Sequence, residues 1–206
     1  MSALLDLLLP ERCAACGQPG RGLCRRCVQA AGELRLTEGA FTRLEPGVVA
    51  LAPFVYDGVM ARAIRNVKSP GRHAPARWLG EMMWAELTPR LGPAASWPRT
   101  WVPSARARRR ARGAEIPRLL AGDGALPMLR RVHQAGEQKR RSARRRASAP
   151  VGDFARLGPV PQGVVMVDDV RTTGATARAA AAALRRAGAL RVVAVSLAAA
   201  REPNND

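Results

Sequence analysis

Acidic side chains, aromatic rings and histidines are all scarce in this chain, and each shortage narrows what it can do. Asp and Glu number 16 against 34 Lys and Arg, giving a formal charge of +18 and a pI near 11.7. Such a surface field attracts polyanions: nucleic acid, nucleotides or pyrophosphate-bearing sugars. Aromatics at 4% leave too few rings for the stacking platforms of sequence-tolerant single-strand binders, although a positive groove without stacking stays open. The two histidines, His73 and His133, read as surface residues, so no general base stands out. Lysine is nearly absent and arginine occurs in every region, which an Arg- and Ala-rich proteome would also produce.

Long apolar runs are missing too. No stretch approaches the roughly 18 uninterrupted apolar residues of a spanning helix. The opening Met1 to Pro10 is leucine-rich, but it lacks a basic start, contains Asp6 and runs into a cysteine cluster, so it is a poor signal peptide. The expectation is a soluble, cytoplasmic protein with no membrane span. A length of 206 residues suits one domain with a real core and a small appendage.

Cysteine is confined to Cys13, Cys16, Cys24 and Cys27, two C-x-x-C pairs flanking a short Gly-containing turn. Each pair can aim two thiolates at one centre, and together they complete a tetrahedral site of the kind that folds a segment with no core of its own. The expected occupant is a structural Zn2+. Disulfides fit less well without an export signal, and paired knuckles around a tight turn suit a single ion better than an iron-sulfur cluster. Arg12, Arg25 and Arg26 beside the sulfurs are expected to favour thiolates. Leu4, Leu5, Leu7, Leu8 and Leu9 suggest a short amphipathic helix that packs this knuckle onto the rest.

Beyond a polar stretch from Gly32 to Gly47, Val48 to Tyr56 reads as a strand or hairpin arm, with Asp57-Gly58 as a turn. A short helix carrying Val59, Ala63, Ile64 and Val67 follows, ending near Lys68 to Gly71. Ala76 to Leu87 has helical spacing, with Trp78, Leu79, Met82, Met83 and Leu87 as a core stripe. Thr100 to Pro103 looks like a buried strand end before the basic run Arg106, Arg108, Arg109, Arg110 and Arg112, and Gly113 opens a helix through Leu120. Arg130 to Arg146 is so basic and so poor in large apolar residues that it reads as an exposed arm. Val164 to Val167 is a continuous apolar run, as in a parallel strand covered on both faces. An Ala-rich helix from Ala175 to Ala187, ended by Gly188, and a strand from Arg191 to Leu197 complete a β-loop-α-β unit of an α/β fold.

The loop of that unit carries the chemistry. Ligands of open α/β sheets bind beyond the carboxyl ends of the strands, where Asp168-Asp169-Val170-Arg171-Thr172-Thr173-Gly174-Ala175-Thr176 lies. Backbone N–H groups at a helix start, close approach at Gly174 and the hydroxyls of Thr172, Thr173 and Thr176 make a cradle for a phosphate monoester. Two carboxylates would repel that phosphate, so Asp168 and Asp169 suit ribose hydroxyls, with Mg2+ shared between sugar and pyrophosphate offsetting the charge. An ordinary capped helix would need one such residue; here five polar positions converge.

These residues resemble the phosphoribosyl pyrophosphate (PRPP) motif of type I phosphoribosyltransferases, and the remainder resembles the ComF/GntX family within them. The family's leucine-rich start and four-cysteine knuckle are similar to Leu4 to Cys27. Its Tyr-x-Gly-like turn and Lys-containing helix end resemble Tyr56-Asp57-Gly58 and Lys68. Its Val-Pro-x-x strand end and Arg-Gly element resemble Val102-Pro103-Ser104-Ala105 and Arg106 to Gly113, and its mobile loop resembles Gln138 and Arg146. The chain departs from the family at Ala114-Glu115-Ile116, where Phe-Asn-Gln is usual, and near Ala149, where an Asn is expected.

The resemblance implies a phosphoribosyltransferase-like parallel sheet flanked by helices over residues 48–201, preceded by a zinc-ribbon-like module over residues 1–33. It implies a pyrophosphate-side loop at Val102 to Ala105, including Pro103 and Ser104, with Arg112 as charge partner, and closure by residues near Arg130 to Arg146. An accessory of DNA uptake in competence is the first implied role, with single-stranded DNA and uptake proteins as partners and PRPP or another ribose phosphate as ligand. An active transferase displacing pyrophosphate from PRPP is the second, and an adaptor docking a partner through the knuckle is the third.

Overall fold

The computed structural model describes residues 11–36, 41–132 and 153–201. Leu4 to Leu9, His133, Gln138, the arginines from Arg140 to Arg146 and Ala149 lie outside the described residues. The fold is mixed α/β, with a mostly parallel central sheet flanked by helices and a four-cysteine cluster beside it.

In chain order the elements are α1 (Arg25–Gly32), β1 (Phe41–Glu45), β2 (Val48–Leu51), β3 (Phe54–Val55), α2 (Gly58–Val67), α3 (Ala76–Leu91) with a 3-10 turn (Gly92–Ser96), β4 (Arg99–Trp101), α4 (Arg106–Arg112), α5 (Ile116–Ala121), β5 (Leu129–Val132), β6 (Asp153–Arg156), β7 (Gly163–Arg171), α6 (Ala175–Arg186) and β8 (Arg191–Ala199). The sheet runs β1-β2-β8-β7-β4, and β3 also pairs with β8. β2, β3 and β7 pair parallel with β8, and β4 pairs parallel with β7; β1 is the antiparallel edge.

Strand side chains alternate between the two faces, and here both faces are buried. Val165, Val167, Val193, Val195 and Leu197 pack with Ile64, Leu79, Met83, Leu87 and Leu120 from α2, α3 and α5. Val164, Met166, Val192 and Ala194 pack instead with Ala180, Ala181 and Leu184 of α6 and with Met128, Leu129 and Phe154. That double coverage explains why β7 and β8 read as unbroken apolar runs.

Four expectations change. β7 does not end at Val167, because pairing with β8 continues through Asp168↔Ser196, Val170↔Ala198 and Arg171↔Ala199, so the acid pair lies within the strand and the turn begins at Thr172. The polar stretch before Gly47 contains β1, whose half-exposed residues at a sheet edge carry little apolar signal. Arg106–Arg112 is itself a helix, and Gly113, at φ +74°, closes it rather than opening the next one. Arg130 and Arg131 lie in the hairpin β5-β6 rather than in an irregular arm; Arg130 is exposed there, while the half-buried Arg131 has its guanidinium 5.1 Å from the Phe154 ring centroid. The aliphatic stem of a half-buried arginine can cover apolar surface while its head stays polar.

Candidate functional site

The cysteine cluster brings four Sγ atoms within 4.8 Å of one another. Backbone bonds from Cys13 N–H to the Gln18 carbonyl (2.8 Å) and from Gly17 N–H to the Cys13 carbonyl (3.0 Å) shape the first knuckle. Cys16 and Cys24 Sγ are 3.7 Å apart, the edge of a tetrahedron whose centre lies about 2.3 Å from each sulfur, the Zn–S distance. Burial works against a Cys13 thiolate, but backbone N–H groups of Cys24, Cys16 and Ala15 outweigh it and bring its pKa down to about 6. Burial and the neighbouring sulfurs push Cys27 up. Backbone amides, rather than Arg12, Arg25 and Arg26, therefore stabilise the first thiolate, and four thiolates together need a cation. The donor set fits a metal such as zinc, which Cys13, Cys16, Cys24 and Cys27 would hold in a closed, structural site.

This cluster packs onto the body. Cys13, Ala14, Ala15, Leu23 and Cys27 are buried in the same core cluster as α2 and α3. Gly22, at φ +64°, meets Trp78 of α3 so closely that a Cβ there would fall 2.1 Å from the indole. Asn66 of α2 donates from Nδ2 to the Ala14 carbonyl at 2.8 Å.

The second site is a cleft of about 300 Å3 at the C-terminal ends of β4 and β7. Its walls hold Tyr56, Lys68, Val102 to Ala105, Arg108, Arg112, Arg131, Asp168, Asp169, Thr172 and Thr176. Pleating sends the acid pair to opposite faces: Asp168 continues the Val164-Met166 side toward α6 and the hairpin, while Asp169 continues the Val165-Val167 side toward α2. Lys68, at the C-terminal cap of α2, donates from Nζ to Asp169 Oδ1 at 2.7 Å. These side chains are only 24% and 15% exposed, so water screens the pair weakly. Asp168 Oδ1 accepts from Asp169 N–H at 2.8 Å. Burial and the Asp169 charge push the Asp168 pKa up to about 7, against the pull of that N–H, Lys68 and Arg131.

Beyond β7, Thr172 and Thr173 are exposed and Gly174 is buried. Gly174 is the N-cap of α6 at φ +72°, with no side-chain cap, and a Cβ there would lie 3.0 Å from Leu44 Cδ2. Thr173 Oγ1 accepts only a long bond from Ala175 N–H, at 3.4 Å. Thr172, Gly174, Ala175, Thr176, Asp168 and Ser196 border a small hollow of about 30 Å3 at this turn. The Ser196 hydroxyl there is buried with no hydrogen-bond partner among the described residues.

On the opposite wall, Glu115 Oε1 accepts from Ser104 N–H at 2.6 Å, and Oε2 lies 3.9 Å from Arg109. Pro103, Ser104 and Arg131 also border a wider groove of about 950 Å3, with Arg106, Arg109, Arg110, Arg118 and Arg130. Burial and repulsion from Arg108 lower the pKa of Arg131, while Asp168 and Glu115 oppose that shift. His73 also lines the groove and is half-buried rather than a surface residue, with Nδ1 shielded from water.

Asp168, Asp169, Thr172, Thr176, Pro103, Ser104 and Arg112 thus line one cleft, with Thr173, Gly174 and Ala175 at its turn. Arg131 comes from the segment expected to close over the site, whereas the motif did not point to Arg108 or to the partners of Lys68 and Glu115, which converge only through tertiary packing. Among the described residues no helix is long and apolar enough to cross a membrane. No known family model matches the chain, and no curated protein matches it.

Proposed function

We propose that the chain is a ComF-like protein of phosphoribosyltransferase-like fold that binds a ribose 5-phosphate unit, free or as PRPP, and serves as an accessory in DNA uptake. The observation that carries this reading is the strand-end cleft. An acid pair suited to sugar hydroxyls lies on β7, its second member five residues before a buried αL glycine that starts a 12-residue helix, with hydroxyls and basic side chains around it. Phosphate fits the helix start and hydroxyls fit the acids. The wide arginine-lined groove beside it suits the backbone of a single DNA strand.

The alternative is an active transferase that displaces pyrophosphate from PRPP. Catalysis would then be electrostatic, with arginines stabilising the leaving group. Arg108, Arg112 and Arg131 in the cleft favour that alternative. Glu115 opposes it: a carboxylate already occupies the Ser104 N–H and would repel a diphosphate at that wall. Binding of the ribose 5-phosphate unit without turnover is therefore the better reading, with PRPP the weaker ligand of the two.

Calorimetry with PRPP and with ribose 5-phosphate, on the wild type and on Asp168→Asn/Asp169→Asn, tests it, followed by pyrophosphate-release assays with candidate bases. Binding that the double variant loses, without release, is expected. Release with one acceptor establishes the transferase, and no binding of either sugar removes both readings. Affinity for single-stranded DNA should fall steeply with salt; a flat response removes the accessory role.

A further inference from the structure

We infer that Lys68 is the resident cation of the acid pair, so that the cleft takes its sugar phosphate without a divalent ion. The inference rests on the ribose-phosphate reading and sharpens it, because it replaces the Mg2+ expected from the motif with a residue of the chain.

The carboxylates do not fit a magnesium site. Mg2+ demands near-octahedral oxygen donors at about 2.0–2.1 Å and usually keeps several waters beside one or two carboxylates. Here Asp169 Oδ1 is held by Lys68 at 2.7 Å, and Asp168 Oδ1 by a backbone N–H at 2.8 Å. The two side chains leave β7 on opposite faces, and each already has one oxygen engaged by a donor of the chain. An ion at Asp169 would have to displace an ammonium that is three-quarters shielded from water.

Charge points the same way. The cleft is lined by Lys68, Arg108, Arg112 and Arg131 against Asp168 and Asp169, with Glu115 behind the Ser104 N–H at its edge. The cations still outnumber the acids with Glu115 counted, so much of the charge of one phosphate monoester, about −1.5 to −2 near neutrality, is offset without a metal. The fold also fixes the lysine in place. α2 presents it at a helix C-terminus, where a cation is favoured, and Asn66, two residues earlier, is tied to the cysteine knuckle. Lys68 acts as a positioning residue: its ammonium fixes the Asp169 carboxylate at the cleft wall.

The test uses the full chain and ribose 5-phosphate, which lacks the pyrophosphate that would itself carry Mg2+. Buffers are cleared of divalent ions on a chelating resin, because free chelator would strip the knuckle. At about pH 8, well above the usual carboxylate range, wild-type affinity should change less than about threefold on adding Mg2+. Lys68→Met should lose about tenfold or more in metal-free buffer, as expected when one partner of a shielded charge pair is removed, and recover most of it with Mg2+. Lys68→Arg should stay metal-independent, which separates loss of charge from misfolding. A wild type that needs Mg2+, or a Lys68→Met protein as strong as wild type without it, overturns the inference. If the wild type binds no ribose 5-phosphate at all, the functional reading fails, and Mn2+ binding to the ligand-free protein still decides this one. Mn2+ should bind Lys68→Met at Asp169 and not the wild type, by electron spin resonance; equal uptake by both overturns it.

Discussion

The cysteine knuckle and the strand-end cleft are the two places where this chain concentrates chemistry, and they are built in opposite ways. The knuckle takes its four donors from Cys13 to Cys27, turns them inward and packs them into the core of α2 and α3. The cleft draws its walls from Tyr56 to Thr176 and remains open. A site whose donors all face one another suits a structural role; a site whose hydroxyls and arginines line an open cleft suits the ligand proposed for it.

The sharpest way to break that contrast is to disarm the knuckle. Cys24→Ser removes a donor from a closed tetrahedral set, and structural zinc contributes folding energy outright. The chain should lose its metal by elemental analysis and unfold well below the wild-type temperature. If the variant keeps both metal and melting temperature, the knuckle is not a structural site.

The cleft should respond differently. Asp168→Asn/Asp169→Asn should cost about a hundredfold in ribose 5-phosphate affinity, consistent with losing charge-assisted hydrogen bonds, yet leave the far-ultraviolet circular dichroism and the bound metal unchanged. Parallel loss of fold and binding would mean that the acids, like the cysteines, are structural.

How legible each region was follows from the same contrast. The knuckle could be read because its donors are neighbours in the chain. The β7-α6-β8 unit could be read because burial on both faces leaves continuous apolar runs, and the turn because Asp168 to Thr176 is contiguous. Helix α4 escaped because none of its residues is buried, so no apolar period marks it. β1 escaped because it is a half-exposed edge. Lys68 reaches Asp169 across 101 residues, and Arg131 enters the cleft only because a hairpin folds it there, which no local pattern encodes.

Acidity sharpens the cleft's side of the contrast. Asp168 has its pKa raised to about 7 from 3.8 by burial and by Asp169. Because the folded chain holds this proton more tightly than the unfolded one, its contribution to stability is fully present below about 3.8 and is lost as pH rises through about 7. The ligand needs the ionised form, so ribose 5-phosphate affinity should climb by roughly tenfold between about pH 6 and 8. Asp168→Asn should flatten that climb in a calorimetric titration. A wild-type profile that is flat through neutrality contradicts the assigned role of Asp168.

The smallest effect asks whether the two regions are independent at all. Asn66 donates to the Ala14 carbonyl beside Cys13 and stands two residues before Lys68, whose ammonium reaches Asp169. One turn of α2 therefore touches the closed site at one end and the open site at the other. Asn66→Ala removes a neutral, part-buried hydrogen bond, so it should cost only about 1 kcal/mol in denaturant unfolding. It leaves every cysteine and every cleft side chain in place. If α2 is held by the knuckle, Lys68 should nevertheless lose alignment, and metal-free ribose 5-phosphate affinity should fall by about two- to fivefold, the low end of ordinary coupling between sites. An unchanged affinity alongside the expected loss of stability would show that the cysteines support the fold without reaching the cleft.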